Sequence, residues 1–207
     1  KNLTAGEGGV VLTGDDGLAE RLYGYVNVGR VRGGGWYDHR GFGLNLRLTE
    51  FQGAILDAQM ADLADLQRRR AANAQRLRDR LAGLAGLDLP PAAADGTVHG
   101  QHLFTMRFPD LGPPGRDRLL ALLQAGGLRH ASSGYVALHR SQPLLDKAMR
   151  NAHLAGRDCP VPHCPRTDER VGETIWLPQP VLLAEPAVVD QVADLIRASL
   201  SAVRGRP

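Results

Sequence analysis

The spacing of apolar positions changes several times along the chain, and each change marks an element. Residues 8–13 hold Val10, Val11 and Leu12 in succession between glycines. A short continuous apolar run of this kind predicts a buried strand. Asp15 or Asp16 then caps a helix in which Leu18, Leu22 and Val26 recur at helical spacing. Residues 29–43 fit neither period. Gly33, Gly34 and Gly35 interrupt the backbone pattern, and Trp36, Tyr37, His39 and Arg40 give the loop a chemically varied tip. Loops of this length in compact domains are usually functional or disordered, and the aromatic pair argues against disorder.

Thr49-Glu50-Phe51-Gln52 reads as a capping box. It opens a long helix reaching about residue 84, with Phe51, Ile55, Ala58, Leu63 and Leu66 expected on its buried face. Glu50, Asp57, Asp62 and Asp65 occupy the first half and arginines the second, an order that complements the helix dipole. Residues 86–100, with Pro90-Pro91, read as a linker or wide loop. A different unit follows: a strand over 102–108, a helix over 115–125 stopped by Gly126-Gly127, and a strand near 128–131. A helix near 143–154, a strand over 174–177 and a last helix opening at Pro186 complete it. This order predicts a small α+β domain with a mostly antiparallel sheet.

Composition narrows the class. The 207 residues are 43% hydrophobic and 23% charged, ordinary for a globular chain. No apolar run approaches the roughly 20 residues of a membrane span, so no membrane partner is expected. The formal charge is +3. Arg68-Arg69-Arg70 reads as a solvated helix face, and no base-stacking aromatics interleave with it, so no nucleic-acid partner is expected either. Two cysteines, Cys159 and Cys164, make no disulfide framework, and the cytoplasm is the expected compartment. Cys159, His163 and Cys164 supply only three clustered candidate ligands, so no metal is expected. Gly33-Gly34-Gly35 lacks the following G-K-[ST] of a phosphate loop, and no G-x-S-x-G elbow is present.

Two segments carry candidate chemistry. The first is Lys1-Asn2-Leu3-Thr4-Ala5-Gly6-Glu7-Gly8-Gly9. An amine adds to an aldehyde only when neutral, which calls for desolvation or a nearby cation. The second is Gly43-Leu44-Asn45-Leu46-Arg47-Leu48-Thr49-Glu50-Phe51-Gln52. Read on its residues alone, Asn45 ends the glycine-rich loop and Arg47 pairs with Glu50.

Together these segments resemble the lysine stretch K-x-x-T-x-G-E-G-G and the G-x-N-x-R-[ML]-[ST]-E-x-Q signature of the DegT/DnrJ/EryC1/StrS aminotransferases. Weaker likenesses run through His102-Leu103-Phe104, Ser133-Gly134-Tyr135 with Leu138-His139, Cys164-Pro165 and Trp176-Leu177-Pro178, so the similarity covers essentially the whole chain. The resemblance implies an α/β fold-type-I transferase dependent on pyridoxal 5'-phosphate (PLP). Residues 1–84 would be the end of the large PLP-binding domain with a long interdomain helix, and residues 85–207 a small C-terminal α+β domain. It implies Lys1 as the catalytic Schiff-base amine and Asn45 as a donor to the PLP phosphate of the other subunit of a homodimer with shared active sites. Arg47 would join the cofactor site, and Tyr37, Tyr135 and His139 the substrate side. The family's dehydratase branch carries histidine at the lysine, which speaks against that reaction here.

The implied reaction is transamination, with L-glutamine as the amino donor and a keto-cyclitol or keto-sugar as acceptor, in aminoglycoside-type antibiotic biosynthesis. A nucleotide-sugar aminotransferase using glutamate is the alternative, and a non-catalytic PLP-fold regulatory or binding module a second. The groups that hold the cofactor ring precede the lysine in that family. The 207 residues are therefore expected to be the C-terminal half of a longer protein, inactive alone.

Overall fold

The computed structural model describes residues 1–91, 97–156 and 163–205. They form two compact units, Lys1–Ala64 and Asp65–Pro207, and the long second helix passes from one into the other. Among the described residues no helix is long and apolar enough to cross a membrane.

In the first unit, α1 (Asp16–Val26) opens as expected, with the Asp15 carboxylate accepting from the Leu18 amide at 2.8 Å. The strand expected over residues 8–13 does not form. Val10, Val11 and Leu12 are 72%, 69% and 89% exposed, and no described strand lies beside them to take up their backbone groups. The following loop folds back on itself through bridges between Asn27 and Asn45 and between Arg30 and His39. At its tip the Arg30 guanidinium lies 4.0 Å over the Trp36 ring.

The helix α2 (Glu50–Leu81) begins at the capping box. The Thr49 amide donates to Gln52 Oε1 at 3.1 Å, and the Gln52 amide donates to Thr49 Oγ1 at 3.3 Å. Its buried face differs from the expected one. Phe51 is 85% exposed and Ile55 and Ala58 are also exposed, whereas Arg70, Asn73, Ala74, Leu77 and Leu81 are buried. The packed part of this helix is its second half, and one member of the arginine run goes inside. Arg70 is 1% exposed and donates to Gln179 Oε1 at 3.3 Å. Asn73 Nδ2 donates to the carbonyls of Leu182 and Ala184 at 2.8 and 2.9 Å.

The second unit packs helices on an antiparallel sheet of order β1-β3-β2, with β1 Leu103–Arg107, β2 Ser132–Ser133 and β3 Thr174–Pro178. Phe104 and Met106 of β1 and Ile175 and Leu177 of β3 point to one face, as the period of two requires. They meet Leu77 and Leu81 of α2, Leu119 and Leu123 of α3 (Gly112–Ala125), and Val189, Ile196 and Leu200 of α6 (Pro186–Val203) in one core. The strand expected near 128–131 is a turn followed by the two residues of β2. The Leu128 and Ala131 amides go to the Leu123 and Leu128 carbonyls. Two helices complete the unit: α4 (Gln142–Leu154), as expected, and α5 (Pro165–Glu173), which no apolar period announces.

Candidate active site

Residues 1–9 lie in neither helix nor strand, and side chains of α2 hold them. Gln59 Nε2 donates to the Thr4 carbonyl at 2.7 Å, and its Oε1 accepts from the Thr4 amide at 3.1 Å. One helical stretch earlier, Gln52 Nε2 donates to the Glu7 carbonyl at 2.7 Å and to the Ala5 carbonyl at 3.4 Å. Gly8 has a φ of +145°, and a Cβ there would meet Leu48 Cδ1 at 3.1 Å, so the turn passes this point as glycine. Along this stretch lies a cavity of about 810 Å³, walled by Lys1, Thr4, the glycine turn, Val10, Leu48, Leu56 and Met60. That volume falls within the roughly 300–1,000 Å³ of small-molecule sites. Lys1 is exposed on its wall.

Asn45 sits on a short ladder against the end of α1. Leu44 and Leu46 amides donate to the Tyr25 and Val26 carbonyls at 2.6 and 2.9 Å, and the Val28 amide to the Leu44 carbonyl at 3.0 Å. Gly43 permits this approach, since a Cβ there would stand 2.4 Å from the Gly29 nitrogen and 2.5 Å from the Gly24 oxygen. Arg47 Nη1 donates to Asn27 Oδ1 at 3.0 Å, so its described side-chain partner is Asn27, not Glu50. Asn27 is 9% exposed and was not singled out from the sequence; nor was Gln59. The signal for both is positional: one follows the last turn of α1, the other lies two turns into α2 from the capping glutamine. Asn45, Arg47 and Lys1 all belong to the first unit, but Asn45 and Arg47 are not among the residues walling the cavity. Tyr37 stands 84% exposed at the loop tip.

Tyr135 and His139 belong to the second unit. The Tyr135 ring stacks on Trp176 at 5.2 Å between centroids. His139 Nε2 lies 3.2 Å from Asp168 Oδ1, while Arg140 Nε and Nη2 donate to the same carboxylate at 2.5 and 2.6 Å. The Arg140 hydrogen bonds, aided by His139, bring the Asp168 pKa down to about 2. Its carboxylate is therefore charged throughout the neutral range and fixes the His139 ring. Of the three cysteine-region ligand candidates, Cys159 lies outside the described residues, and among the described residues no metal-ligating group of three exists.

Residues 1–197 match the DegT/DnrJ/EryC1/StrS aminotransferase family. The chain is 35% identical over 198 residues to a dTDP-3-amino-3,4,6-trideoxy-alpha-D-glucose transaminase of Streptomyces venezuelae, covering 95% of this chain and 47% of that protein. It is 30% identical over 203 residues to the 3-amino-5-hydroxybenzoate synthase of Amycolatopsis mediterranei (strain S699), covering 95% of this chain and 50% of that one. Among solved structures, the S. venezuelae DesV protein in complex with a ketimine intermediate superposes with a TM-score of 0.71 at 33% identity, over 90% of this chain and 45% of that chain. The chain thus spans about half the length of the curated relatives it matches. Its fold is that of a fold-type-I transferase. With a family match running from Lys1 into α6, and a superposition that follows it, the chain belongs to the DegT/DnrJ/EryC1/StrS aminotransferase family.

Proposed function

We propose that the protein carrying this chain is a PLP-dependent aminotransferase that moves an amino group to a keto-cyclitol or keto-sugar. The observation that carries the reading is Lys1 on the wall of a glycine-turned cavity of ligand size. The residues present fit the cofactor: a primary amine for its carbonyl, a turn that excludes side-chain bulk at Gly8, and an amide donor at Asn45. PLP, when bound, supplies an electron-withdrawing ring that stabilises negative charge at the donor's α-carbon. Lys1 Nζ would hold the cofactor and, once displaced by the amino donor, carry the proton taken from that carbon. The Asn45 amide would donate to the phosphate of the other subunit's cofactor without adding charge. Arg47, anchored on Asn27, would hold the ladder that presents Asn45. Tyr135 on Trp176 and His139 on Asp168, with Tyr37, would meet the substrate.

For the amino donor, the T-A-G-E-G-G and N-x-R-L-T-E-F stretches resemble those of the family's glutamine-using cyclitol and aminohydroxybenzoate branch, which favours L-glutamine. A second reading, a nucleotide-linked keto-sugar with L-glutamate as donor, draws support from the 35% identity to the S. venezuelae dTDP-sugar transaminase. Both are tested on the full-length protein loaded with PLP. Borohydride reduction and peptide mass spectrometry should find the cofactor on Lys1, and Lys1→Ala should abolish transamination by at least about a thousandfold. L-Glutamine should convert bound PLP to pyridoxamine phosphate faster than L-glutamate. The reverse order selects the second reading, and label on another lysine overturns both.

A further inference from the structure

We propose that Gln59 is a positioning residue for Lys1, holding the amine in register with the cavity through the backbone of Thr4. The inference rests on the functional reading above. The Gln59 carboxamide meets the N–H and the C=O of the same residue, at 3.1 and 2.7 Å, so it copies the two-bond pairing that a neighbouring strand would offer. Its own aim is fixed, because Nε2 also donates to the Ile55 carbonyl at 3.0 Å. Gln52 makes the second grip, at Ala5 and Glu7.

The two grips run in opposite order along the two segments. Gln52 and Gln59 are seven residues apart, which puts them on one helix face and about 10.5 Å apart along the axis. Thr4 meets the later glutamine and Glu7 the earlier one, and the chain between them bends through residues 5–7, with Gly6 at a φ of +86°. The lysine segment therefore runs antiparallel to α2, fastened at both ends of one two-turn stretch. Leu56 and Met60, from the same part of the helix, wall the cavity next to Lys1. Residues 1–4 lie in neither helix nor strand, and the Thr4 clamp holds this stretch three residues from Lys1. A change in that clamp moves the root of the Lys1 side chain. Asn45 and Arg47 are held by the separate ladder against α1.

Attachment consumes the neutral amine and the aldehyde, forms a C=N bond and releases one water; borohydride then adds hydride to carbon and the solvent a proton to nitrogen. Reacting groups displaced by about 1 Å lose on the order of a hundredfold in rate. In the full-length protein, Gln59→Met keeps the volume and removes both hydrogen bonds to Thr4. We expect borohydride-trapped PLP on Lys1 to form about ten- to a hundredfold more slowly, and the pH midpoint of the bound cofactor's visible absorbance to shift. Amide hydrogen exchange over residues 2–9 of the apoprotein should accelerate. Total PLP bound at saturation and the apoprotein melting temperature should stay close to those of the parent. Unchanged trapping and an unchanged midpoint overturn the proposal, as does a loss of total binding in step with melting. If the parent protein itself traps no PLP on Lys1, the functional reading fails instead.

Discussion

At the scale of single residues, the second unit's carboxylate at Asp168 shows how one group can organise its neighbours. It takes two hydrogen bonds from Arg140 and one from His139 Nε2, and its pKa falls to about 2 for that reason. Where Nε2 of His139 donates to Asp168, its Nδ1 faces away from the carboxylate, on the side proposed to meet the substrate. An unfolded aspartate titrates near about 3.9. Because the folded value lies below that, the stabilisation from this cluster is complete above about pH 4 and is lost as the pH falls to about 2. The difference in stability between parent and Asp168→Asn should hold steady from pH 7 to 5 and close below pH 4. The carbon-13 shift of the Asp168 carboxyl should titrate near 2, and Arg140→Ala should raise that midpoint toward the ordinary range; a midpoint unmoved by Arg140→Ala would remove the arginine as its cause.

At the scale of elements, helix α2 has two characters. Its first half presents the glutamines that grip the lysine segment, and its second half buries Leu77 and Leu81 in the core under β1 and β3. Leu77→Ala should cost about 3 kcal/mol through the cavity it leaves, read as faster hydrogen exchange in β1 and β3. The helix itself was legible from its capping box, as were α1, α3, α4, α6 and two of the three strands, because caps, prolines and apolar periods act locally. Its buried face was not. Phe51 and Ile55 are as apolar as any core residue, yet burial depends on what other elements reach; Arg70 goes inside where Gln179 and Gln67 accept from its Nη1 and Nη2, while its Nε has no partner. The run at Val10–Leu12 has strand composition and no described strand beside it, which periodicity along one chain does not register. Helix α5 has no apolar period to mark it, since between Pro165 and Glu173 its one large apolar side chain is Val171. The motif residues proposed for the site stand out by their likeness to the family's two signatures. Asn27 and Gln59 do not, since their partners are backbone and side-chain atoms 20 and 55 residues away.

At the scale of the whole molecule, the proposed site draws Lys1 and Asn45 from the same unit of one chain, yet assigns them to different active sites of a homodimer. That assignment has a consequence no single variant can produce. Lys1→Ala removes the amine from a subunit's own site, whereas Asn45→Ala removes a phosphate donor from its partner's. Each variant alone gives a dimer with both sites damaged. In a mixed dimer the two defects fall on the same site, because the Lys1→Ala subunit receives the Asn45→Ala partner's missing donor. The other site then holds an intact lysine and an intact asparagine. Equal mixing makes half of the dimers hybrid, and half of the sites in those are whole, so activity should recover to about a quarter of the parent level. If Lys1 and Asn45 of one chain instead serve the same site, every hybrid site is missing one of them, and mixing the variants gives no more than the average of their separate activities. Unfolding and refolding the two variants together, then measuring transamination against refolded parent protein, separates a shared site from a self-contained one.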